Sequence, residues 1–184
     1  MKFIAQSIPD VILIKPSVHS DGRGYFLETY QQEVFKNGIG YDVNFIQDNE
    51  SVSFKGVLRG LHYQTPPFAQ AKLVRVIHGV VLDVVVDIRK SSLTFGKYIA
   101  VELSCDNKHQ LFIPHGFAHG FVVLSDKVTF AYKVDKYYSS ENDRGIAFDD
   151  EKIKIDWKLS KKELVLSDKD KNHPPLALAK DLFD

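Results

Sequence analysis

The sequence predicts an all-β protein, a cupin-like double-sheet jelly roll or barrel with a few short helices, mainly C-terminal. Two observations carry this. Short runs rich in Val, Ile, Phe and Tyr recur along the chain, and Gly, Pro, Asn, Asp and Ser interrupt them at the spacing of a sandwich or barrel. The 184 residues, 44% of them apolar, suffice for one sizeable core, so residues 1–184 read as a single domain whose barrel mouth can hold a ligand.

The elements follow in chain order. Residues 11–15 form an apolar strand, with Val11 to Ile14 an exposed sheet edge unless a second copy covers it. Strand 23–30 follows, then one or two helical turns over 30–36, then strands 44–50 and 57–63. Strands 72–78 and 80–88 flank Gly79 and read as a hairpin with a tight turn. In 80–88, Val80, Leu82, Val84, Val86 and Ile88 share the core face and Asp83 and Asp87 the other, the alternation of a half-buried strand. Strands 97–104, 110–113, 119–124 and 128–134 complete the barrel. The charged tract 152–171 reads as a polar surface excursion with an ordered element or two, among them a capping box at Ser160 and Glu163. Pro174-Pro175 ahead of Leu176-Ala177-Leu178-Ala179-Lys180 suits a brief helix.

Charge and cysteine content narrow the function. Twenty-four Lys and Arg balance twenty-four Asp and Glu, so no global field draws the chain to nucleic acid or an anionic membrane. The single cysteine, Cys105, excludes an internal disulfide and a multi-cysteine zinc site. No apolar run reaches the roughly twenty residues of a membrane span, and the start of the chain lacks a signal-peptide apolar region, so a cytoplasmic protein is expected.

Among seven histidines, spacing selects two. Pro114-His115-Gly116-Phe117-Ala118-His119 reads P-x-G-x-x-H ahead of an apolar strand and resembles the second metal-binding motif of the cupin superfamily. The first motif should read H-x-H with a following Glu. Here His62 and Gln64 stand in its place, positions 65–71 hold no carboxylate, and Lys72 adds a positive charge that would repel a divalent cation. The barrel is kept and the metal lost. An alternating strand puts His62 on the face of Leu58 and Gln64, and a structural and a functional histidine are both open on this basis. Arg23 and Arg59 each neighbour a glycine that lets a phosphate approach. Gln47 with Asn49, and Phe26 with Glu28, project as pairs from one strand face, where they could read a base edge. Tyr132 shares its parity with Val128 and Phe130, a core position or a proton donor, and Asp170 is by itself one charge in a solvated loop.

Taken together, Asp21-Gly22-Arg23-Gly24-Tyr25-Phe26-Leu27-Glu28, Phe45-Ile46-Gln47-Asp48-Asn49, Val57-Leu58-Arg59-Gly60-Leu61-His62-Tyr63-Gln64, Ala69-Gln70-Ala71-Lys72-Leu73-Val74-Arg75, the Pro114–Phe121 motif and Tyr137-Tyr138-Ser139 resemble the dTDP-4-dehydrorhamnose 3,5-epimerase family. The resemblance spans nearly the whole chain in order. It implies a jelly roll, a homodimer, no metal or organic cofactor, and a dTDP-4-keto-6-deoxyhexose substrate on the route to dTDP-L-rhamnose. It further implies His62 as general base, Asp170 as the carboxylate that orients it, Tyr132 as the acid on the opposite face and Lys72 as the group that steadies the enolate. Arg23 and Arg59 then resemble the diphosphate ligands, Phe26, Glu28, Gln47, Asn49 and Tyr138 the nucleoside set, and His119 a sugar contact. Asp168 competes with Asp170, and Tyr137 with Tyr138.

The residue types suit that chemistry. C3 and C5 flank a C4 ketone, so deprotonation leaves an enolate with its charge mainly on O4, where a lysine ammonium can stabilise it. Neutral histidine accepts a proton near pH 7, and a carboxylate on its other nitrogen fixes the tautomer. One geometric conflict stands out: Arg59 and His62 are three apart, which on an ideal strand sends them to opposite faces. Either Gly60 marks a bulge or Arg59 reaches around the barrel mouth. The competing readings are an epimerase inverting C3 or C5 alone, a sugar-nucleotide-binding module without activity, and a metal-dependent cupin.

Overall fold

The computed structural model describes residues 1–184. The strands are β1 (Lys2–Ala5), β2 (Ile12–Lys15), β3 (His19–Asp21), β4 (Gly24–Phe26), β5 (Gln47–Phe54), β6 (Leu58–Gln64), β7 (Lys72–His78), β8 (Val80–Asp87), β9 (Tyr98–Ser104), β10 (Gln110–Ile113), β11 (Phe117–Val123), β12 (Lys127–Val134) and β13 (Asp143–Gly145). Helix α1 (Gln32–Ile39) precedes β5, α2 (Asp168–Lys171) follows β13, and 3₁₀ turns occur at Lys161–Glu163 and Leu176–Leu178. One antiparallel sheet has the order β1-β2-β10-β7-β12-β5 and the other β13-β6-β11-β8-β9, while β3 and β4 form a separate hairpin. This is the double-sheet jelly roll expected from the strand pattern.

The sheets face each other across a core of alternate residues from both, including Val74, Val76, Leu111 and Phe130 from the first and Val81, Val85, Phe117 and Phe121 from the second. A second core lies on the outer side of the second sheet, where Leu58, Leu61, Leu82, Val84 and Val86 pack against Ile146, Ile153, Trp157 and Leu176. That layer changes two readings. The tract 152–171 is not a surface excursion: Ile153, Ile155, Trp157 and Leu159 alternate with polar residues and lie against the sheet, and the Trp157 indole donates to the Phe148 carbonyl at 2.8 Å. Strand β8 is not half-buried either. Its predicted core face meets the C-terminal layer, and its other face, with Asp83 and Asp87 both fully buried, looks into the barrel.

Gly79 does not close a hairpin. β7 pairs with β10 and β12, and β8 with β11 and β9, so Gly79 carries the chain from one sheet to the other. Its φ of 85° and the Lys127 carbonyl, 2.1 Å from where a Cβ would sit, explain why the crossing takes glycine. Strand β2 is no edge, because β1 covers it. The open edge of the first sheet beyond β12 is β5, eight residues long, with Val52 and Phe54 exposed. Strand 23–30 shortens to β4 within the β3–β4 hairpin, all of whose residues are exposed.

Candidate active site

Between the sheets lies a cavity of about 470 Å³ with a wall from each. The first sheet supplies Ser51, Lys72, Phe130 and Tyr132, the second Arg59, His62, His119 and Phe121, and the segment from Val165 to Asp170 closes one side. Register explains the first wall. Tyr132 pairs with Val74, and Val134 with Lys72, so Lys72 and Tyr132 share the interior face with the core residues Val74, Val76 and Phe130.

The second wall depends on a break in register. β6 pairs with β11 as His62 to His119 and Arg59 to Phe121, which sets Gly60 and Leu61 together opposite Gly120. This bulge reverses the parity of the strand, and Arg59 and His62 both line the cavity. Leu58 packs with Leu61 and Tyr63 in the outer core, not on the face of His62 as alternation predicts, though it also borders the cavity. The glycines permit the bulge: a Cβ on Gly60 would lie 2.6 Å from the Gly120 Cα, and Gly60 has φ 131°. The Arg59 Nε donates to the Ser53 hydroxyl at 3.0 Å.

Helix α2 brings Asp170 to His62 across 108 residues of sequence. Ser167 caps the helix by accepting from the Asp170 backbone N–H at 3.1 Å, and the Asp170 carboxylate then lies 2.5 Å from His62 Nε2. Asp168 points away to Lys171 and is exposed. With Nε2 held by the carboxylate, Nδ1 is the ring nitrogen that makes no hydrogen bond within the chain, and it carries the lone pair if Nε2 donates. Burial pushes the His62 imidazole below its ordinary value, with Lys72 and Lys169 acting in the same sense and Asp170 opposing. Burial also lowers the Lys72 ammonium to about 8, against the pull of Asp143 and Asp83. It raises Tyr132, opposed by Arg59, so the phenol keeps its proton at neutral pH.

A second imidazole–carboxylate pair stands beside the first. His119 Nε2 is 2.9 and 3.1 Å from the two oxygens of Asp83, which is 0% exposed. Burial raises the Asp83 carboxyl, and His119 and Lys72 oppose that. Sequence reasoning missed Asp83 by assigning its face to solvent. A carboxylate in the middle of a valine run was the available signal.

The donors of His62, Asp170 and His173 lie within 4.8 Å of one another, a set of metal-ligating type. Their charge setting disfavours a divalent cation, since Lys72 and Lys169 both act on His62 as positive charges.

Other predicted residues fall elsewhere. Gln47 and Asn49 share a face, as their 2.8 Å side-chain hydrogen bond shows, but neither lines the cavity. Tyr138 donates to Asp143 at 3.0 Å, and Asp143 also accepts from Lys169 of the cavity wall; Tyr137 and Tyr138 are both exposed. Arg23, Phe26 and Glu28 are exposed, with Arg23 paired to Asp21 at 2.6 Å, and none of the three reaches the cavity of its own chain.

Comparison with known proteins is consistent with this arrangement. The family model described as dTDP-4-dehydrorhamnose 3,5-epimerase matches residues 5–177. A curated dTDP-4-dehydrorhamnose 3,5-epimerase of Shigella flexneri is 54% identical over 172 residues, covering 94% of each chain. The crystal structure of the dTDP-4-dehydrorhamnose 3,5-epimerase from Elizabethkingia anophelis superposes with a TM-score of 0.94 at 46% identity over 98% of each chain. A Legionella pneumophila dTDP-6-deoxy-D-glucose-3,5-epimerase, solved in complex with dTDP-4-keto-L-rhamnose, also gives 0.94, at 45% identity over 97% of this chain and 94% of that one.

Proposed function

The chain belongs to the dTDP-4-dehydrorhamnose 3,5-epimerase family and is an isomerase, and from that premise we propose how its cavity epimerises dTDP-4-keto-6-deoxyglucose at C3 and C5 to dTDP-4-dehydro-L-rhamnose, a step of dTDP-L-rhamnose biosynthesis. One observation carries the mechanism: a carboxylate-held imidazole and a phenol line facing walls of one cavity, with the Lys72 ammonium also in its wall.

His62 removes the proton from C5 or C3 through Nδ1, and the Asp170 carboxylate on Nε2 stabilises the imidazolium that forms. The enolate charge gathers on O4, where the Lys72 ammonium meets it. Tyr132, on the opposite wall, returns a proton to the other face of the ring, which inverts the centre. Arg59 binds the diphosphate, and His119, fixed by Asp83, contacts the sugar.

Arg23, Phe26, Glu28, Gln47, Asn49 and Tyr138 form the nucleotide end of the site in a homodimer. Two features support the dimer: the open edge at β5, where Val52 and Phe54 are exposed, and an exposed hairpin whose ligand-type residues do not line the cavity of their own chain. The hairpin of one copy then completes the cavity of the other. No helix is long and apolar enough to cross a membrane, and the reading carries a cytoplasmic location.

The test separates His62 from Tyr132. In deuterated water His62→Asn should lose both solvent exchange and epimerisation while binding dTDP, because an amide cannot take the proton. Tyr132→Phe should still exchange, with deuterium entering recovered substrate at unchanged configuration. Equal loss of exchange and inversion in Tyr132→Phe, with weakened binding, would make the tyrosine a positioning residue and remove it as the acid.

A further inference from the structure

His173 is the anomaly of the site. Its Nε2 is the buried side-chain nitrogen left without a hydrogen-bond partner, and it lies 3.5 Å from Asp170 Oδ1, the oxygen that already faces His62. The side chain is 9% exposed, and its ring stands edge-on to the His62 ring at 5.5 Å. A buried N–H that gives up water without gaining a partner is costly enough that native chains rarely leave one idle. Closing the gap to an ordinary hydrogen bond takes about half an ångström.

The surroundings aim the ring. Gly145 of β13 pairs with His62 of β6, and a Cβ on Gly145 would come within 2.4 Å of His173 Nε2. The bare backbone at that position leaves the space the imidazole fills. Asp170 meanwhile needs a second contact. Ser167 uses its oxygen on the Asp170 backbone N–H, His62 makes the short contact to the carboxylate at 2.5 Å, and His173 stands off at 3.5 Å from the same oxygen. A carboxylate held at one point can swing about its Cβ–Cγ bond, and His62 would lose its line to Nε2 as it did.

We propose that His173 is a positioning residue for the reaction: its Nε2–H closes on Asp170 and clamps the carboxylate in line with His62. This rests on the reading of His62 as base, and it adds a residue that neither motif nor family resemblance singled out. His173 does not line the cavity, so its loss should fall on turnover and not on binding.

The experiment uses full-length protein with His173→Leu, which keeps the bulk and removes the donor, and His173→Gln, whose amide nitrogen can occupy the place of Nε2. Thermal melting establishes that both fold. In His173→Leu, kcat should drop about tenfold, the scale of one hydrogen bond to a charged group, with KM within twofold, and His173→Gln should recover most of the loss. The proton between His62 and Asp170 gives a second readout independent of activity. Its far-downfield NMR resonance should broaden or vanish in His173→Leu and return in His173→Gln. A folded His173→Leu with wild-type kcat and an unchanged resonance would overturn the proposal, as would equal impairment of the two variants. A wild-type protein that showed the resonance but exchanged no substrate protons would instead refute His62 as base, while the resonance in the variants would still decide the role of His173.

Discussion

Replacing Asp170 by Asn keeps the size of the side chain and an oxygen able to accept from His62 Nε2, but removes the charge. In the native site that contact is 2.5 Å long and the carboxylate is 6% exposed, so solvent screens it little. A hydrogen bond to a charged group contributes about 1.5–3 kcal/mol, and here it strengthens as His62 becomes imidazolium, so the loss belongs to the transition state and corresponds to roughly 10- to 150-fold in kcat. KM and dTDP affinity should stay near wild type. Asp170 is also what holds the His62 imidazolium against the lowering effects of burial, Lys72 and Lys169. Without it the imidazole becomes a weaker base, and the acid limb of kcat/KM moves to lower pH. Initial rates followed by NMR of the sugar over a pH series measure both quantities. A kcat within threefold of wild type, or an acid limb displaced upward, would refute the account of Asp170 as the group that sustains the base.

Two further outcomes follow from the same site. The kcat/KM profile of the wild type should be a bell: its acid limb lies below the ordinary histidine value of 6.5, because activity needs neutral His62 and burial lowers that group, and its alkaline limb lies near 8, where Lys72 loses the charge that meets the enolate; a rate still rising well above pH 8 would remove Lys72 from that role. Mixing Arg23→Ala, impaired in nucleotide binding, with inactive His62→Asn should raise activity at limiting substrate above that of either alone, since a mixed dimer in which hairpins are exchanged contains one cavity with both native residues; purified mixtures that exchange subunits and show no gain would place Arg23 in the site of its own chain or outside any site.

Much of the fold was legible because β6 to β8 and β10 to β12 carry dense β-branched and aromatic runs, the signal that survives without tertiary information. The errors share a cause. Period-two reasoning treats one face of a strand as wet, and β8 has no wet face: the barrel interior takes Asp83 and Asp87, and the C-terminal layer takes the valines opposite. The apolar residues of that layer, at 153, 155, 157 and 159, did alternate, but the charges between them masked the pattern. For the site, the conflict between Arg59 and His62 was itself informative, since the glycine between them is where the register breaks. Asp170 had no local signal, because a four-residue helix capped by Ser167 acquires its meaning only against a strand 108 residues away. His173 was invisible for the same reason: its setting is made by Asp170 and the space left by Gly145.

If one cavity inverts two centres of a 4-keto sugar, both centres exchange their protons with solvent. Incubating the protein with dTDP-4-keto-6-deoxyglucose in deuterated water and taking NMR spectra of the sugar tests it most directly. Deuterium should enter both C3 and C5 of the product, each with inverted configuration. Deuterium and inversion at a single carbon, or an unlabelled sugar at full binding, would contradict it.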